Sequence, residues 1–225
     1  MKTTKKLKVW AEKVDVNKVY SMADALAILR EFGSKKFDET LEMAVRLGID
    51  VTKADQNVRG MLSLPHGTGK KVRVAVVSNG KDAEAKAAGA DVFGGEELID
   101  KIAGGFLEFD RVIATPDMMA KMAKIARVLG PKGMMPNPKL GTVTNNIAEA
   151  VKTAKAGQIE YRAEKKGIVH AGLGKMSFDD TKLIENAMAL IDQLKKVKPS
   201  TSKGQYILGI AVSTTQGPGL KVDVK

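Results

Sequence analysis

One stretch constrains this chain more than any other: Lys35-Lys36-Phe37-Asp38-Glu39-Thr40-Leu41-Glu42-Met43-Ala44-Val45-Arg46-Leu47-Gly48-Ile49-Asp50. Leu41, Met43, Val45, Leu47 and Ile49 share one parity; Asp38, Thr40, Glu42, Arg46 and Asp50 share the other. Period-two alternation puts the first set on the buried face of a strand and the second in water. A long strand with one wet face belongs in an antiparallel sheet covered on one side. The wet face lines up a hydroxyl, a carboxylate and a guanidinium behind two lysines. Taken alone, such a face reads as solvated surface. Phe37 has the parity of Leu41, so it lies in the core unless the strand begins after it.

The flanking sequence has the same style. A short basic helix is expected over residues 4–13, with Leu7, Trp10, Ala11 and Val14 at helical spacing. A second helix starts after Ser21, an N-cap with Asp24 three residues on, and ends at Gly33. After the polar turn Asp55-Gln56-Asn57, the strand Val58–Leu64 is expected to pair back on the first as a hairpin. From residue 158 alternation returns in Gln158–Glu164, which a Lys165-Lys166-Gly167 turn connects to Ile168–Ala171. A helix capped by Asp179 or Asp180, a strand from Tyr206, the turn Gln216–Gly219 and the alternation Leu220, Val222, Val224 complete it.

Between these segments the pattern changes. Val72–Val77 is a nearly continuous apolar run, as in a strand buried on both faces. It is followed by helix Ala83–Ala88, strand Asp91–Phe93, helix Glu96–Ala103, strand Arg111–Thr115, a helix from Pro116 to Leu129, strand Thr142-Val143 and helix Asn145–Ala156. Strand–helix alternation implies a mostly parallel sheet covered by helices. The expected fold class is therefore an α+β terminal domain with an antiparallel sheet, built from both chain ends (1–67 and 159–225). An α/β Rossmann-like domain (68–158) is inserted within it.

The 225 residues carry 37 Lys+Arg against 26 Asp+Glu, a net charge of +11 spread over the chain. That surplus points to a polyanionic partner, usually nucleic acid. Cysteine is absent, which excludes disulfides and thiolate chemistry. No apolar run approaches the ~20 residues of a membrane helix, and the N-terminus has no secretory pattern.

Catalytic motifs fail on inspection. His66-Gly67-Thr68-Gly69-Lys70-Lys71 lacks the early glycine and the hydroxyl after lysine that a phosphate loop needs. Val77-Ser78-Asn79-Gly80-Lys81 has one glycine where a dinucleotide fingerprint has three. His66 and His170, the two histidines, have no neighbouring ligand set. The rival reading, a nucleotide-dependent Rossmann-like enzyme with a basic accessory domain, therefore has no catalytic constellation to rest on. No cofactor is called for.

Val128-Leu129-Gly130-Pro131-Lys132-Gly133-Met134-Met135-Pro136-Asn137-Pro138-Lys139, followed by Gly141-Thr142-Val143, resembles the signature loop of one family. It is that of the first protein of the bacterial large ribosomal subunit, the protein of the mobile stalk. Lys36–Thr40, Asp55–Gly60, Leu64–Gly67, Ala114–Asp117 and Thr214–Pro218 match its pattern too, in order along nearly the whole chain. The resemblance implies a non-enzymatic cytoplasmic protein, monomeric when free, with no membrane association. Its partners would be large-subunit (23S) rRNA at the stalk, tRNA at the exit site, whose release it assists, other large-subunit components, and the leader of its own operon mRNA, which it represses. A regulatory mRNA binder outside the ribosome would differ only in target.

The family's RNA-contacting positions fall on Lys36, Phe37, Thr40 and Glu42, and on Thr215, Gln216, Gly217 and Gly219. Secondary contacts fall on Lys132, Lys139, His170 and Lys175. Methionine is often found where this chain has Gln216, so an amide stands in place of an apolar contact.

Dispersed lysines imply salt-dependent binding. Log affinity for RNA should fall linearly with log salt, and Lys36→Ala should reduce the slope by about one unit. A slope near zero in filter binding would remove the polyanion reading.

Overall fold

The computed structural model describes residues 9–223, except 11, 16 and 35. Residues 4–8 and 11 of the expected first helix, and Val224, lie outside the described residues; Val9, Trp10, Glu12 and Lys13 are helical. The chain divides into two compact units, one running up to Gly69 and resuming at Ile159, the other spanning Lys70–Gln158.

The first unit is organised by a five-stranded sheet in the order β1-β10-β9-β2-β8. The strands are β1 (Val19–Tyr20), β2 (Thr40–Leu47), β8 (Ile168–Lys175), β9 (Ile207–Thr214) and β10 (Leu220–Val222). β2 is antiparallel to both neighbours, with Met43 opposite Ala171 on one side and Val212 on the other. Its alternation is obeyed: Leu41, Met43, Val45 and Leu47 are all at most 3% exposed, while Glu42 and Arg46 are exposed. The buried row packs with α1 (Met22–Phe32), through Ala25, Leu26 and Leu29. It also packs with α7 (Asp180–Lys196), through Leu183, Ala187, Leu190, Ile191 and Leu194. Each leucine or isoleucine among them contributes about 1.5–3 kcal/mol on burial. Ser21 caps α1 as expected, its Oγ accepting from the Asp24 N–H (3.1 Å) and donating to the Asp24 carboxylate (2.8 Å).

Two expected pairings are corrected. β3 (Arg59–Ser63) does not fold back on β2; it pairs with β7 (Gln158–Arg162) in a separate two-stranded sheet. Both edges of β2 are already taken by β8 and β9, so a hairpin there has no free ladder. β7 and β8 likewise belong to different sheets. The Lys165–Gly167 turn forms, with Gly167 N–H donating to Glu164 O (2.8 Å), but only an isolated bridge, Ala163 to Val169, follows it.

In the second unit, β4 (Val74–Val77) is the middle strand of a parallel sheet ordered β5-β4-β6, with β5 at Val92–Gly94 and β6 at Arg111–Ala114. All four β4 residues are buried. Ala75 and Val77 enter one apolar cluster and Val74 and Val76 the other, as a strand covered on both faces requires. The helices are α2 (Asp82–Ala87), α3 (Glu96–Ala103), α4 (Met119–Met122), α5 (Ala126–Leu129) and α6 (Ile147–Lys155). The single helix expected from Pro116 to Leu129 is instead α4 and α5 interrupted by 3-10 turns at Pro116–Met118 and Ala123–Ile125. Its buried stripe, Met118, Met122, Ile125 and Leu129, runs through the interruptions. Thr142-Val143 contributes one parallel bridge, from Val143 to Ala114, rather than a strand.

Gly48 closes the end of β2. Its N–H donates to Tyr206 O (2.7 Å), and a Cβ there would lie 2.3 Å from Gln205 O. Gly48→Ala is expected to cost about 1–3 kcal/mol, lowering the melting temperature by several degrees. Gly209→Ala, where nothing lies within 4 Å of the added Cβ, should leave the melting curve unchanged. Equal melting of the two would refute the steric account.

Candidate nucleic-acid interface

The wet face of β2 ends at a corner made by two distant segments. Leu41 is opposite Thr214, so the chain leaving β9 turns beside the start of β2. There Thr215 Oγ1 accepts a hydrogen bond from Thr40 N–H (3.0 Å). The strand begins at Thr40, which frees Phe37 from the core parity; its ring is 42% exposed, and Lys36 beside it is exposed. Glu42 is exposed on the open face, flanked by Ser213 and Gly172 on the neighbouring strands. Thr215, Gln216 and Gly219 are exposed and Gly217 is half-buried; the turn closes through Gly217 N–H to Thr214 O (3.1 Å). Lys36, Phe37, Thr40, Glu42, Thr215, Gln216, Gly217 and Gly219 thus share one end of the sheet.

The secondary positions divide. Lys175 is opposite Thr40 on β8, and its Nζ donates to Asp38 O (3.0 Å), so it belongs to the same corner. His170 is opposite Ala44, farther along the same open face, exposed and 3.9 Å from the Glu164 carboxylate. Lys132 and Lys139 are exposed in the second unit. Lys139 follows Asn137, whose side chain accepts from its N–H (2.9 Å).

The corner has a frame that the sequence reading passed over. Asp38 accepts from Ser177 N–H (3.1 Å) and Ser177 Oγ (2.7 Å). Arg30 donates to Met176 O (2.7 Å), Phe178 O (2.6 Å) and the Asp180 carboxylate (2.7 and 2.9 Å). A guanidinium fork satisfied by two carbonyls and a carboxylate is a rigid tie. These partners are about 140–150 residues apart in sequence, so no local pattern signals them. Glu39 is different: it is a carboxylate on the buried parity, 2% exposed, and its parity could have singled it out, although the sequence reading passed over it as well.

The arrangement offers hydrogen-bond donors and acceptors, an aromatic ring and bare backbone on an exposed surface; it offers no reaction centre. Among the described residues no group of three or more His, Cys, Asp and Glu could hold a metal ion. No helix among them is long and apolar enough to cross a membrane. His66 sits in a turn held by Asn186, whose Oδ1 accepts from His66 N–H (3.1 Å) and whose Nδ2 donates to Gly67 O (3.0 Å) and Leu173 O (2.8 Å).

The two turn glycines differ in origin. A Cβ on Gly217 would lie 2.2 Å from Thr214 Oγ1 and 3.4 Å from Leu29 Cδ2, so an added methyl must displace the buried Thr214 side chain. A Cβ on Gly219 would meet nothing within 4 Å. Gly217→Ala should therefore destabilise by about 1–3 kcal/mol, whereas Gly219→Ala should melt like the parent. The reverse order in thermal denaturation would show that the turn is misassigned.

The family model for the ribosomal protein L1p/L10e family matches residues 29–218. The large ribosomal subunit protein uL1 of Mycolicibacterium smegmatis is 55% identical over 223 residues, covering 99% of this chain and 95% of that protein. A match of this extent and identity shows that the chain belongs to the ribosomal protein L1p/L10e family.

Proposed function

We propose that the protein is a structural constituent of the large ribosomal subunit that binds large-subunit rRNA at the mobile stalk. Its main RNA surface is the corner formed by Lys36, Phe37, Thr40 and Glu42 with Thr215, Gln216, Gly217 and Gly219. The unit built from both chain ends forms the RNA-binding domain, and the inserted unit adds secondary contacts through Lys132 and Lys139. His170 and Lys175 extend the main surface. In the assembled, cytoplasmic ribosome it lies near exit-site tRNA and assists its release. The same surface binds the leader of its own operon mRNA and represses translation. The carrying observation is the convergence of two segments, joined by the Thr40 N–H to Thr215 Oγ1 bond, on the exposed end of a sheet. The identity to a large-subunit protein supports the choice of partner.

The chemistry suits RNA better than DNA. Glu42 can accept from a ribose 2′-hydroxyl or a base amino or imino group, reading shape where lysine reads only phosphate. Exposed Phe37 offers a ring on which a base or ribose packs. The backbone at Gly219 leaves room for close approach.

Glu42→Gln keeps volume and an acceptor but removes the charge. Were the carboxylate merely repelled by phosphate, this change would tighten binding. Weaker binding is expected, because a hydrogen bond to a charged acceptor is worth about 1.5–3 kcal/mol. Glu42→Ala should lose roughly ten-fold or more in affinity, since it strands the RNA donor. Thr40→Val should weaken binding without lowering thermal stability. Filter binding to a stalk rRNA fragment at fixed salt, with a melting curve for each variant, checks all three. Unchanged or tighter binding throughout would put the site elsewhere.

A further inference from the structure

We propose that Glu39 is a positioning residue for RNA recognition, its buried carboxylate holding the Lys36–Phe37 corner in the geometry that RNA meets. This rests on the interface reading above. Glu39 has the parity of Leu41 and is 2% exposed. Its Oε1 accepts from Ser34 N–H (2.8 Å), and Ser34 Oγ in turn accepts from Lys36 N–H (3.2 Å). At the other end of the same loop, Glu39 O accepts from Met176 N–H (2.8 Å). The side chain of Glu39 thus fixes where the loop begins and its backbone fixes where it ends, with Lys36 and Phe37 held between.

Glu39 Oε2 is buried and finds no hydrogen-bond partner among the described residues. A buried carboxylate with one oxygen unanswered is expensive in free energy. An aliphatic side chain would continue the buried row Leu41, Met43, Val45 without that penalty. The carboxylate instead supplies the acceptor that sets the shape of an exposed loop, which an aliphatic side chain could not do. Such a device makes sense where the loop must meet a partner in one conformation.

The test uses the full-length protein and a stalk rRNA fragment, with filter binding over a salt series and a melting curve for each variant. Glu39→Leu is expected to melt at or above the parent temperature yet bind about ten-fold more weakly. Its salt slope should fall by about one unit, as for Lys36→Ala. Adding Lys36→Ala to Glu39→Leu should change affinity by less than about two-fold, because the lysine is already mispositioned. Glu39→Gln, which keeps an acceptor for Ser34 N–H, should recover most of the affinity. Ser34→Ala removes only the link to Lys36, and should weaken binding by about three-fold whether or not Glu39→Leu folds.

Additivity of Glu39→Leu with an effective Lys36→Ala would overturn the assignment of Glu39 alone, as would parental affinity in both Glu39→Leu and Ser34→Ala. If Lys36→Ala and Phe37→Ala have no effect by themselves, the interface reading falls and the role of Glu39 falls with it.

Discussion

The strand Thr40–Leu47 is hydrogen-bonded along both edges, to Ile168–Lys175 on one side and Ile207–Thr214 on the other. All three strands carry apolar side chains on the face that α1 and α7 cover. A register slip of one residue would turn Leu41, Met43, Val45 and Leu47 to water. The register is therefore fixed by the core, and it carries the far end of the sheet with it. Because Leu41 must face Thr214, Thr215 must face Thr40, and the turn after β9 must lie beside Lys36 and Phe37. The geometry of the exposed corner follows from packing on the opposite face.

What was legible in the sequence was whatever depends on neighbours a few residues away. The alternation over Leu41–Ile49 identified the wet and dry faces as far as Leu47, the Ser21–Asp24 pair marked a helix start, and the apolar run Val72–Val77 signalled a strand covered on both sides. The expected hairpin between β2 and Val58–Leu64 was a local guess, and it failed against two long-range partners that use both edges of β2. The helix interruption at Ala123–Ile125 leaves the apolar spacing intact, so no periodicity could reveal it. The candidate corner itself became visible through a family resemblance, since residues 40 and 215 share no local pattern. Glu39 is a missed signal: a lone carboxylate on a buried parity is locally visible, yet the alternation was read without it.

The charge of the chain and the chemistry of the corner divide the work under the proposed reading. A net charge of +11 dispersed over the surface attracts any polyanion, and it falls with salt in the same way for every sequence. Such a field cannot select one RNA fold from another. Selection needs groups that phosphate would repel or ignore: a carboxylate, hydroxyls, an aromatic ring and bare backbone. Those are the groups at the end of β2, and Glu42 stands there despite the field of the rest of the protein.

Under the proposed reading, the same division calls for a corner held in one geometry. A surface that reads shape by hydrogen bonds loses its discrimination if the acceptors wander by an ångström. Here the loop before β2 is tied at both ends, by Asp38 to Ser177 and by Glu39 to Ser34. Arg30 fastens the chain that follows β8 to α1. The turn after β9 closes through Gly217 N–H donating to Thr214 O. The Asp38–Ser177 and Arg30 ties cross between segments that meet only when the sheet is complete, while the Glu39–Ser34 bond is local. At Gly219 the logic reverses, because nothing in the protein would obstruct a side chain there. The space left open at that position is on the outside of the molecule, at the turn between β9 and β10.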